Sequence, residues 1–338
     1  MTHRERVLKT FRFEQPDRLA YDLLEGTVWR ELLDYFRVER NLAERLEVQD
    51  FLDTDFRWVK MSSGLFGSRS ESDHTIYTNE VAHGPLAEAE TVSEVESYNW
   101  PDPSRWSAPN WQEARAQWPD HALVLFAGWS PLFWKTCEVF GVEAALVNLV
   151  SRSKLFECAV RCNHERYMER LKRGLMAARG FCDICWLGDD FASQQSMLLS
   201  PEHWRRFIKP ALAEQVELAR SHDMYVLYHS CGAVRPVLPD LIEIGINGLL
   251  VFQTTAREMD AGSIARDFGG RMVFYGGMDV QHLLSFGTPE EVKAEVLTNA
   301  QAFSKCGGYV VANSHHGVAT IRGKNIEAMC QAARKTVS

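Results

Sequence analysis

The chain has 338 residues, 46% of them hydrophobic and 24% charged, and a formal net charge of −8. Lysine and arginine are spread thinly, so there is no basic stripe to follow a phosphate backbone, and nucleic acid is excluded as the expected partner. No apolar run approaches the roughly 18 residues of a membrane span, and the opening MTHRERVLKTFRFEQPDR lacks the apolar segment of a secretory signal, so a cytoplasmic protein without a membrane partner is expected.

In chain order, residues 4–11 have a short helical pattern, and residues 19–24 read as a strand that closes on Glu25-Gly26. Helical spacing returns over 28–47, and a second strand falls near 56–60. From about 60 to 117 the pattern loosens into turn-rich, tryptophan-rich sequence, read as an insertion with a short β element. Apolar, β-branched runs at 122–127, 182–187, 224–228, 248–252, 272–275 and 309–312 are strand candidates. Helical patterns at 142–150, 154–179, 201–221, 234–244 and 289–305 separate them, the last with Thr288 as its N-cap and Pro289 in its first turn. About eight strands with helical crossovers favour a (β/α)8 barrel. No glycine-rich dinucleotide fingerprint follows the first strand, which disfavours an open doubly wound sheet.

In such a barrel, chemistry belongs to the carboxyl ends of the strands. There the chain places Glu25, then Gly188-Asp189-Asp190, then His229-Ser230-Cys231, then Asp279, and finally Asn313-Ser314-His315-His316. Residues two apart on a strand share a side, so His229 and Cys231 can share one ion. With His316, or its neighbour His315, they would form a three-ligand site that leaves one position open, the arrangement of a catalytic zinc. One of the adjacent pair Asp189 and Asp190 is expected to face the mouth as a catalytic carboxylate or to support a ligand, the other to cap a turn; Asp279 is a further catalytic candidate. Glu25, Gln194 and Asn313 are substrate-binding candidates. Trp29, Trp58, Trp129, Trp134 and Trp186 could wall an aromatic pocket or simply fill core. The eight cysteines are irregularly spaced and read as reduced thiols, and Cys182 to Cys185 forms a CxxC inside a strand pattern, where redox work is not expected.

Taken in order, RERVLKTFRFEQPDRLAYD, PLAEAETVSEVESYNWPDP, GDDFASQ with LLSPEHWRRFIKP, YHSCG, GGMDVQHLLSFGTPEEV and GGYVVANSHHGV resemble the uroporphyrinogen decarboxylase superfamily. The resemblance implies one (β/α)8 barrel domain over 1–338, with the loop-rich insertion at about 60–117. True decarboxylases of that superfamily carry an arginine-rich segment after the first strand for their polycarboxylate substrate; this chain has LLEGTVWR there, with an acid where cations are wanted. The other branch is similar to cobamide-dependent methyltransferases, whose zinc is held by a His-x-Cys pair and a later cysteine. That pair falls on His229 and Cys231, and the later cysteine on His316, with His315 beside it. The resemblance therefore implies a zinc enzyme moving a methyl group between a small methyl ether, aromatic or otherwise, and a corrinoid protein. A tetrapyrrole carboxy-lyase and a non-catalytic corrinoid- or tetrapyrrole-binding protein are the alternatives, and a homodimer is left open.

Overall fold

The structure is a computed structural model that describes residues 1–63, 83–129 and 131–336. Its centre is an eight-stranded parallel barrel. In chain order the strands are β1 (Ala20–Tyr21), β2 (Phe56–Lys60), β3 (Ser62–Ser63), β4 (Trp106–Ser107), β5 (Ala122–Phe126), β6 (Ile184–Gly188), β7 (Tyr225–His229), β8 (Gly248–Phe252), β9 (Val273–Met278) and β10 (Tyr309–Asn313). The barrel strands lie in the order β1-β10-β9-β8-β7-β6-β5-β2, while β3 and β4 form a separate antiparallel pair. Between β1 and β2 the ring is drawn together by the Asp55 N–H, which donates to the Tyr21 carbonyl. Helices between the strands make this a (β/α)8, or TIM, barrel.

Each barrel strand is buried on both faces, which is why the strands appear in the sequence as near-continuous apolar runs. The inward rows of Ala20, Phe56, Ala122, Val124, Ile184, Trp186, Leu227, Leu250, Val273, Tyr275, Val310 and Ala312 pack together as the barrel interior. The outward rows join the helices in the larger core. Two expected helices are each divided. The 28–47 segment is two helices, Arg30–Arg40 and Arg45–Leu52, because Asn41 adopts a left-handed φ of 56° and ends the first. The 201–221 segment breaks into Pro201–Phe207 and Lys209–Arg220, with Pro210 in the first turn of the second helix. Thr288 caps Pro289–Phe303 as expected, in a capping box with Glu291. The short β element of the 60–117 region is the β3–β4 pair; residues 64–82 of that region lie outside the described residues.

The amino-terminal face of the barrel is closed by charge. The Asp55 side chain, fully buried, accepts from Arg6 Nη1 at 2.7 Å, Arg18 Nη1 at 2.8 Å and the Tyr21 N–H at 2.9 Å, and pairs with His3 Nδ1 at 2.8 Å. Burial would raise its carboxyl, but the His3 hydrogen bond and the two arginines hold it below its ordinary value. The opposite face is where the polar strand ends converge.

Candidate metal centre

His229 is the last residue of β7, and strand alternation turns it inward with Leu227. Cys231 follows two residues later, its Sγ 3.7 Å from His229 Nε2. Asp190, just past β6, brings Oδ1 to 3.7 Å from the same Nε2, and that oxygen also accepts the Cys231 N–H at 3.0 Å. The nitrogen, sulfur and oxygen of His229, Cys231 and Asp190 all lie within 4.8 Å of one another. An imidazole, a thiol and a carboxylate at this spacing are a donor set that suits zinc.

Behind the ring stands Glu25, whose Oε1 is 2.7 Å from His229 Nδ1. This bond makes Nδ1 the donor and leaves Nε2 with its lone pair toward Cys231 and Asp190, the orientation a metal-binding histidine needs. The backbone at Glu25 is held at φ 52°, a left-handed conformation rare for a residue with a side chain. Next to it, Gly26 has φ 62°, and a Cβ there would lie 2.5 Å from the Trp58 ring. The tight turn thus fixes the carboxylate under the histidine. Glu25 Oε2 also lies 3.4 Å from His316 Nε2. Burial would push the Glu25 carboxyl up, but the His316 and His229 rings together hold it down at about 2. Against its own burial, the Glu25 charge raises His229 above its ordinary value, and burial beside Asp190 pushes the Cys231 thiol up.

The converging set differs from the one expected. Asp190, rather than His316, lies with His229 and Cys231 within the 4.8 Å grouping, while the His316 ring centroid stands 6.3 Å from that of His229. His316 is drawn instead to Glu25, and His315 packs beside it with ring centroids 5.8 Å apart. Burial, with His316 and His229 nearby, lowers His315 to about 4. Glu25, expected to meet substrate, spends both oxygens on histidines. Asp189, expected as a catalytic candidate beside Asp190, accepts three backbone N–H groups, from Leu132, Phe133 and Trp134, at 3.0, 2.7 and 3.0 Å. It caps the helix Phe133–Phe140, and burial pushes its carboxyl up to about 7. Asp279 likewise accepts the N–H groups of Gln281, His282 and Leu283. Asn313 accepts the Leu24 N–H and donates to the His315 carbonyl, tying the Glu25 turn to the histidine loop.

Gln194 donates to Gln253 Oε1 at 2.6 Å. Gln253, which sequence reasoning passed over, also accepts the Gly232 N–H and donates to the Ser314 carbonyl, so one buried amide joins the loops after β6, β7 and β10. Its only sequence signal is its place directly after the GLLVF strand.

Aromatic rings flank the His229 ring. Trp129 stands edge-on to His229 with centroids 5.3 Å apart, and Trp186 does so at 5.7 Å. Phe126 stacks on Trp186 at 4.4 Å. Trp58 donates its Nε1–H to Asp22 in the barrel interior; Trp29, buried, packs against Gly317 beside the histidine loop, and Trp134 is buried in the helix Phe133–Phe140.

Residues 179–336 match the family model of uroporphyrinogen decarboxylase (URO-D). Among solved structures, a methyltransferase from Methanosarcina mazei superposes over 99% of this chain and 99% of its own with a TM-score of 0.67 at 18% identity, and so shares the fold. The IolI protein with a bound zinc atom and a D-psicose 3-epimerase each cover 86% of this chain and 89% of their own at 12% identity and a TM-score of 0.40. No curated protein sequence matches the chain.

Proposed function

We propose that this chain is a zinc-dependent methyltransferase that moves a methyl group from a small methyl ether to a corrinoid carried on a partner protein. The observation that carries the reading is the convergence of Asp190, His229 and Cys231 beside aromatic rings at the barrel mouth, with Glu25 aligning the histidine. The methyltransferase from Methanosarcina mazei, alike over nearly its whole length, supports it.

Zinc, when bound, would supply a Lewis acid that polarises the ether oxygen and so eases departure of its methyl group. Asp190, His229 and Cys231 would hold it. Two anionic donors balance the dication as a pair of thiolates would, but the Asp190 oxygen is the harder donor and leaves the site more electrophilic. The chain's own residues do the rest. Glu25 keeps the His229 Nε2 lone pair on the triad. Trp129, half-buried and backed by the buried Trp186, excludes water from one side and offers a face against which a flat donor can lie. His316, half-buried beside Glu25, is placed to give a proton to an oxygen leaving as an alkoxide or phenoxide.

The test is methylation of cob(I)alamin by an aryl methyl ether, followed by loss of the Co(I) absorbance. Zinc-loaded wild type should turn over, and Cys231→Ser should not; equal rates in the two would end the proposal. Porphyrinogen decarboxylation, assayed in parallel, would favour the carboxy-lyase alternative instead.

A further inference from the structure

β2 reads Phe56-Arg57-Trp58-Val59-Lys60, and its alternation is unusual at the top. Phe56 packs into the barrel interior and Trp58 lies against it, so Lys60, two residues on, continues the inward row at the mouth. Arg57 takes the outward side, bonded to Asp50 and Thr54. Register places Lys60 beside Phe126 and Phe126 beside Trp186. The Lys60 ammonium lies 5.5 Å from the Phe126 centroid, Phe126 stacks on Trp186, and Trp186 meets His229. A continuous row of rings thus runs from a cation to the triad.

The charges of the mouth are otherwise matched. Glu25 serves the His229 and His316 rings, Asp190 takes the Cys231 N–H, and Asp189 takes three backbone N–H groups. Lys60 is exposed; its charge adds to those that hold the Glu25 carboxyl low, but among the described residues no carboxylate forms an ion pair with it within 4.0 Å, so its ammonium keeps its hydrogen-bonding capacity. A lysine left available over aromatic faces at the open end of a barrel is an anion anchor.

We infer that Lys60 selects the methyl donor: its ammonium holds an acidic group on an aromatic ring that lies along Phe126 and Trp129, with the ether directed toward Asp190, His229 and Cys231. The inference rests on the methyl-ether reading and narrows it to aromatic ethers bearing a carboxylate or similar anion. Cationic methylamines, which an aromatic box alone would welcome, are repelled.

Binding can be measured without the corrinoid partner. Titration calorimetry of 3-methoxybenzoate, 3-methoxybenzamide and 3-methoxybenzylamine with wild type, Lys60→Met and Lys60→Arg separates charge from shape. Wild type should bind the benzoate about tenfold tighter than the benzamide and the amine most weakly. Lys60→Met should erase the benzoate preference while leaving benzamide affinity and metal content unchanged, and Lys60→Arg should keep most of it. An equal loss for benzoate and benzamide would make Lys60 a mere counter-ion to Glu25 and overturn the inference, as would a preference that survives Lys60→Met or no binding of any probe. Benzoate preference without methyl transfer would sink the proposed function and spare the anchor; methyl transfer without preference would do the reverse.

Discussion

Glu25 Oε1 lies 2.7 Å from His229 Nδ1, joining residues 204 positions apart in the chain. A carboxylate at that nitrogen fixes the ring's tautomer and raises its basicity as a ligand. Glu25→Gln is expected to lower zinc affinity about 10- to 100-fold. Competition with a chromogenic chelator measures this, and excess zinc should restore part of the lost activity.

Adjacent aspartates are expected to fail differently. Asp189 caps a helix through three backbone N–H groups, so Asp189→Ala should cost about 1–2 kcal/mol in urea unfolding of the metal-free protein and should leave zinc binding in place. Asp190→Ala should leave the metal-free unfolding midpoint close to wild type and remove stoichiometric zinc.

Asp22 supplies a pH dependence away from the triad. Its Oδ2 accepts from Trp58 Nε1 at 2.8 Å and from the Tyr275 hydroxyl at 2.7 Å, while Oδ1 is buried without a partner among the described residues. Burial pushes this carboxyl up to about 7 from an ordinary 3.8. Between those values the folded chain holds one more proton than the unfolded chain, so the associated stability is complete below the lower value and is lost as pH rises through the upper one. Asp22→Asn mimics the protonated acid. Relative to wild type it should gain stability between pH 5 and pH 8, on the order of 2–4 kcal/mol, read as a growing difference in melting temperature. A difference independent of pH would contradict this placement of the proton.

Asp55 has the opposite sign. Its carboxyl is held low by His3, Arg18 and Arg6, so its contribution is present at neutral pH and fades as the solution is acidified. Asp55→Asn at pH 7 leaves two buried guanidinium groups short of their anion and should cost about 3–5 kcal/mol. Denaturant midpoints should show the penalty nearly unchanged from pH 7 down to the ordinary carboxyl value of 3.8 and shrinking only below it, as the solution is acidified further.

The barrel was legible because its strands are buried on both faces, and residues 122–127, 248–252 and 309–312 therefore stand out as apolar runs. Helix breaks were less visible: Asn41 ends a helix through a left-handed φ, which periodicity does not encode. His229 and Cys231 were legible as a pair because a strand's period of two brings them to one side. The proximity of Asp190 was not: Asp190 and His316 both follow strands, and only tertiary placement brings His316 to Glu25 and Asp190 to the His229 ring. Nor could sequence separate Asp189 from Asp190, since the helix that Asp189 caps begins at Phe133, 56 residues earlier in the chain. Lys60 left a trace in FRWVK, where a cation occupies an inward position, but its meaning depends on Phe126 across the β2–β5 register.

The most direct test of the central claim is zinc K-edge X-ray absorption on the purified, zinc-loaded protein, with total zinc measured per chain. The account predicts about one zinc per chain, with one sulfur donor, from Cys231, and nitrogen or oxygen donors for the rest; in Cys231→Ser the sulfur shell should vanish. A wild-type zinc without sulfur in its shell, or a protein that binds no zinc at this site, would contradict it.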